Sequence, residues 1–153
     1  MNRQEICVAE IITAMLIMLL AILGLCLRAF AGPVVDMSII ARIESSGNPL
    51  AYNSTSQARG LYQITPVCLE DYNNYHPGQT YTLEELFNPV VNEIVACWYL
   101  FTRIPQLLRY YDQPVTTDNI LVGYNAGIGR VGRKLPSETA NYLEKYKKLL
   151  NNR

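Results

Sequence analysis

The chain has 153 residues, half of them apolar, which is enough for one domain around one core. Thirteen Lys and Arg balance thirteen Asp and Glu, and no basic run is interleaved with aromatics, so nucleic acid is not an expected partner. The balance is uneven along the chain: residues 61–102 hold five acids and no base, whereas residues 130–153 hold seven bases and two acids, which suits either a solvated helix face or a basic rim for an anionic polymer.

Residues 11–27 are apolar except for Thr13 and Gly24, with Arg3 before them and Ala29-Phe30-Ala31 after them. That is the order of a signal peptide over residues 1–31, cut after Ala31. Glu5 and Glu10 dilute its positive start, and the apolar core reaches the lower limit for a membrane span. An uncut N-terminal anchor is therefore the second reading. Leu25 before Cys26 argues against a lipoprotein box. Both readings export a single domain over residues 32–153.

The first helix is expected over about residues 35–45, with Asp36 as N-cap, Ile39, Ile40 and Ile43 at helical spacing, and Gly47 and Pro49 as the stop. Residues 48–60 read as an ordered polar loop, and Gly60 to Ile64 as a short strand. Thr65-Pro66 opens a helix to about Tyr72, and Thr82-Leu83-Glu84-Glu85 fits a capping box. Asn88-Pro89 starts the longest apolar helix, over about residues 89–103, with Val91, Val95, Trp98 and Leu100 lining the core. Pro105 should end it and begin a short helix to Tyr111. Thr117-Asp118 caps a helix over about 118–125, and Ser137 caps the last, to about Leu149.

Cys7 and Cys26 fall in the leader, leaving Cys68 and Cys97. In an oxidising compartment two cysteines can pair, but both sit in apolar helical contexts where a buried thiol is equally at home. The only histidine, His76, lies in the turn Tyr75-His76-Pro77-Gly78 and has no spacing to either cysteine that suggests a nucleophile. No metal cluster is visible, and no cofactor is expected.

Glu44, in Ile43-Glu44-Ser45-Ser46-Gly47-Asn48-Pro49, ends an apolar helix. Burial there lifts a carboxyl toward the working pH and makes it a general acid, which cleavage of a glycosidic bond requires. Gly60-Leu61-Tyr62-Gln63 offers a backbone that can approach a sugar at Gly60, and an amide donor and acceptor at Gln63. Gly123-Tyr124-Asn125-Ala126-Gly127 ends a helix with a slim turn, and Glu138-Thr139-Ala140-Asn141-Tyr142 opens the last one. No second carboxylate stands out beside Glu44: Glu70 and Asp71 fall on a separate helix, and Glu138 belongs to the last patch.

Taken in order, the four patches resemble the catalytic domain of soluble lytic transglycosylases over roughly residues 37 to 147. The resemblance implies a mainly α, goose-type lysozyme-like fold of about seven short helices with a small β patch. It implies peptidoglycan glycan strands as substrate, and Glu44 as the acid that cleaves the MurNAc-β-1,4-GlcNAc bond and then serves as base to give a 1,6-anhydroMurNAc end. It assigns substrate binding to Ser45, Gly60, Gln63, Tyr124, Asn125, Ala126 and Tyr142, with Tyr124 directed at the reacting N-acetyl group and Tyr142 holding Glu44. Tyr62 stands where the family has Met, and Gly123 where it has Ala. Two other readings compete: a lysozyme-type hydrolase on the same substrate, and an inactive glycan-binding component. A lone exported catalytic domain also resembles the accessory enzymes of secretion systems, conjugation machines, pili or phage. It would act in the periplasm or after secretion, or at the inner membrane facing the wall through residues 11–27.

Overall fold

Asp36 begins the domain as its sequence suggests: its carboxylate accepts the backbone N–H groups of Ser38 and Ile39 at 3.0 and 3.3 Å, which starts helix α1 (Met37–Ser45). The structure, a computed structural model, describes residues 15–21 and 33–152. Residues 15–21 are helical with their side chains exposed, and no described helix is long and apolar enough to cross a membrane. Arg3, Cys7, Cys26, the Ala29-Phe30-Ala31 site and the rest of the 11–27 segment lie outside the described residues.

Beyond α1 the chain forms α2 (Pro66–Tyr75), a 3-10 turn (Glu84–Phe87), α3 (Pro89–Trp98), a π turn (Tyr99–Arg103) and α4 (Ile104–Tyr110). Then follow α5 (Thr117–Ala126), a 3-10 turn (Ile128–Arg130) and α6 (Ser137–Asn151). The fold is thus mainly helical, and the β patch is reduced to two isolated antiparallel bridges, Tyr52–Arg59 and Arg59–Ile64. Three residues tie that loop together in place of a sheet, because the segment is too short and too rich in Asn, Ser and Gly to build a ladder.

Most caps follow local chemistry. Thr65 accepts from Cys68 N, Asn88 accepts from Val90 N, and Thr82 and Glu85 exchange backbone bonds as a capping box. Two boundaries differ from expectation. Thr116 rather than Thr117 caps α5, accepting from Asn119 N, and α6 starts at Ser137 behind Pro136 with no side-chain cap. Helix α2 also runs on to Tyr75, where the His76 ring stacks on Tyr72 at 4.2 Å.

Pro105 does not break the helical path. The backbone stays right-handed helical from Trp98 through Ile104, and Ile104 N–H donates to Tyr99 O, one residue further back than in an α-helix. This wider turn makes room for a proline ring that would otherwise press on the carbonyl four residues earlier.

The core gathers Ile39 and Ile40 of α1, Leu69 and Tyr72 of α2, Val95 and Leu100, Ile104 and Leu108, Ile120 and Leu121, and Tyr142 and Tyr146. Val91 and Trp98 pack at its edge. Helix α6 lies against α1 and α5, and Tyr146 Oη accepts from Asp36 N at 2.8 Å. Cys68 and Cys97 are free thiols, both raised by burial.

Candidate active site

Helix α1 ends on a left-handed residue, Ser46 (φ 56°), whose N–H returns to the α1 carbonyls. That turn leaves Glu44 on the last turn of the helix, facing a cavity of about 430 Å³. The cavity is also lined by Asn53, Ser56 and Ala58 of the tied loop, by Gln63, by Tyr99 of the π turn, and by Tyr124, Asn125 and Gly127 at the end of α5.

Glu44 is half-buried, and Tyr142 Oη donates to its Oε1 at 2.9 Å across 98 residues of chain. Its pKa is raised from 4.5 to about 7. Burial is the main cause, the Tyr142 hydrogen bond pulls the other way, and the charge of Glu138 adds a further rise. At neutral pH such a carboxyl holds its proton about half the time, so it can give a proton in one step and take one in the next. Tyr142 is raised far above the ordinary phenol range by burial and by the carboxylate beside it, so it stays a donor.

Glu138 corrects the expectation that no second acid stands by. It lies in the first turn of α6 and lines the same cavity as Glu44. Asp71, by contrast, is taken up in a bidentate pair with Arg103 at 2.7 and 3.1 Å.

Other residues singled out from sequence take up different tasks. Ser45 Oγ donates to Ala41 O and Leu61 O, at 3.1 and 2.9 Å, and so ties α1 to the loop. Gly60 faces the interior rather than a sugar: at φ 78°, a Cβ there would lie 2.4 Å from both Leu86 O and Asn92 Nδ2. Gln63 lines the cavity but lends its Nε2 to Gly60 O at 3.1 Å, leaving its amide oxygen as the uncommitted end. Tyr124 donates to Tyr62 O at 2.6 Å, and burial holds its hydroxyl well above the ordinary range. Ala126 is half-buried and is not among the cavity's lining residues, whereas its neighbours Asn125 and Gly127 are. Tyr62 is buried and is not among the residues lining the cavity.

Asn92 is the residue that sequence reading missed. Fully buried, it accepts from Tyr62 N at 2.8 Å and donates to Arg59 O and Leu86 O at 2.8 and 2.9 Å. A lone amide in the apolar run Pro89 to Trp98 was the available signal. Tyr99 was missed too; it meets Tyr124 edge-on at 6.4 Å, and burial pushes its hydroxyl up to about 12. Among the described residues no group of His, Cys, Asp and Glu is placed to hold a metal ion.

Compared with known families, residues 33–147 match the family model described as Transglycosylase SLT domain. No curated protein sequence matches the chain. The matched span covers α1 to α5 and most of α6, and so takes in every residue around the cavity.

Proposed function

We propose, since this chain belongs to the transglycosylase SLT family, that it cleaves the MurNAc-β-1,4-GlcNAc bond of peptidoglycan with Glu44 as general acid and then base. The half-buried Glu44 carboxyl, raised to about 7 and held by Tyr142, is the observation that carries this reading. In the first step Glu44 gives its proton to the bridging oxygen as the C1–O bond breaks, and the muramoyl N-acetyl group supports the developing cation. In the second, the Glu44 carboxylate takes the proton of the C6 hydroxyl while O6 bonds to C1, leaving a 1,6-anhydro end. Gln63 and Asn125, which line the same cavity as Glu44, serve the sugar's hydroxyl and amide groups. Ser45, Gly60 and Tyr124 act behind them by fixing the loop and helix end, and Ala126 keeps that helix end slim.

Glu138 favours a second reading, a lysozyme-type hydrolase in which a second carboxylate assists the attack of water. Digestion of purified peptidoglycan followed by mass spectrometry tests both. Anhydro ends with wild type and no release with Glu44→Gln support the transglycosylase. Reducing ends support the hydrolase, and no release by either protein leaves a glycan binder.

The leader over residues 1–31 directs the domain over 32–153 to the wall-facing side of the membrane, where a secretion, pilus or phage apparatus needs the wall opened. The apolar run at 11–27 supports this, and N-terminal sequencing from an expressing bacterium tests it. Gly32 as first residue indicates a released enzyme; an intact Met1 in the membrane fraction indicates an anchored one.

A further inference from the structure

The loop between α5 and α6 leaves the cavity at Gly127 and returns to it at Glu138. Between those two residues it carries Arg130, Arg133 and Lys134 and no acid. All three cations are exposed, each lies within five residues of Gly127 or Glu138, and among the described residues none of them forms an ion pair. Elsewhere Arg103 pairs with Asp71, Lys147 with Asp118, and Arg59 lies over the Tyr52 ring and donates to Gln57 O, whereas Arg42, Arg109, Lys145 and Lys148 are exposed on helices and not on a loop that joins two cavity residues.

The loop's backbone is held in place. Arg130 N donates to Gly127 O, Val131 N to Ile128 O and Arg133 N to Arg130 O, and the Val131 side chain is buried in the core. Gly132 (φ 73°) presses against the Gln113 side chain, where an added Cβ would meet Oε1 at 2.8 Å. Asp112, next to Gln113 and exposed, and Glu138, where the loop returns to the cavity, pair with none of the three. Three exposed cations without an ion pair, on a held loop that joins two residues lining the cleft, form a lasting positive field beside it, and such a field draws in anions.

Resting on the glycan-cleavage reading above, we infer that Arg130, Arg133 and Lys134 bind the carboxylates of the peptide stems that hang from the glycan strand. The enzyme then prefers stem-bearing strands to bare ones, and the loop sets that preference by contacts outside the reacting sugars. Glycan hydroxyls and amides are neutral and give these cations nothing to recognise. The stems are the anionic part of this substrate, and they leave the strand at the muramoyl sugar whose C1–O bond is cleaved.

The test compares fluorescently labelled glycan strands of one length, with their peptide stems or stripped of them by an amidase and then capped as methylamides at the lactyl carboxylates that the amidase leaves, so that the bare strand is neutral. Affinity of the full chain for each is read by fluorescence polarisation before turnover, and KM for each from product release. Wild type should bind the stem-bearing strand about tenfold more tightly, and rising salt should erase the difference. In Arg130→Gln/Arg133→Gln/Lys134→Gln the ratio of the two affinities, and of the two KM values, should fall to about one. A wild type that binds both strands equally, or a triple variant that keeps the preference, overturns the proposal. Preference that persists for phosphate-bearing wall polymer but not for stems also overturns it. If wild type binds stems through this loop but releases no product from either strand, the cleavage reading fails while the loop assignment stands.

Discussion

Glu44→Gln separates the electrostatics of the site from its chemistry. The native carboxyl titrates near 7 against an ordinary 4.5, so folding must hold its proton where the unfolded chain releases it. Below pH 4.5 the group is neutral in both states and the substitution should leave stability almost unchanged. As the pH rises from 4.5 to 7 the unfolded chain releases the proton that the native state keeps, so the native state is progressively penalised, and above 7 the full penalty stands. The gap between the two values, at 1.36 kcal/mol per pH unit, is about 3.4 kcal/mol. Water at the open side of the cleft screens part of this, which leaves about 2 kcal/mol. Gln keeps the shape and still accepts from Tyr142, but it carries no charge to bury. The variant should therefore melt roughly 6 °C above wild type at pH 9 and within about 1 °C of it at pH 4, while cleaving no glycan. Thermal unfolding followed by circular dichroism across that pH range reads the first arm, and a turbidity assay on cell walls the second. A gain of equal size at both pH values would refute burial of Glu44 as the source of its raised pKa.

Tyr142→Phe removes the one hydrogen bond that lowers the Glu44 pKa, so the alkaline limb of the pH–kcat/KM profile should move up. Its kcat should fall about 10- to 100-fold with KM little changed, equivalent to roughly 1.4–2.7 kcal/mol; a raised KM with normal kcat would instead place Tyr142 in a sugar subsite. Asn92→Ala strips the partner from Tyr62 N, Arg59 O and Leu86 O. It should cost about 3 kcal/mol by urea denaturation, and the cleft should loosen although Asn92 lies behind it. Gly60→Ala should destabilise the same loop, because its φ of 78° and the 2.4 Å approach to backbone leave no room for a methyl. A melting temperature equal to that of wild type would contradict the packing described.

Local signals carried most of the fold. Asp36, Thr65, Asn88 and the Thr82–Glu85 pair each announce a helix start through a side chain that reaches a backbone within three residues, and such short-range chemistry can be read without neighbours. Where two hydroxyl residues adjoin, as at Thr116 and Thr117, nothing local selects one, and the boundary shifted by a residue. Pro105 misled for a different reason. A proline forbids an α-helical bond but permits the longer turn that precedes it, and only packing decides between stopping and widening. In the site, Glu44 and Tyr142 were legible because their neighbours in sequence are distinctive. Asn92 and Glu138 were not, since each matters through residues far away in the chain. Gly60 was recognised as a necessary glycine, but what demands it is an asparagine in the interior.

The bond between Tyr142 and Glu44 also orders events in time. A chain is made from its first residue onward. The acid at position 44 therefore emerges well before the tyrosine that positions it, and the loop opposite it waits for Asn92. Closing a chain segment of 98 residues comes late, because its entropy must be met before any contact rewards it. The hydrogen bond to Glu44 is thus completed by the last described helix to appear, and a chain interrupted before residue 142 lacks the hydroxyl that holds that carboxyl.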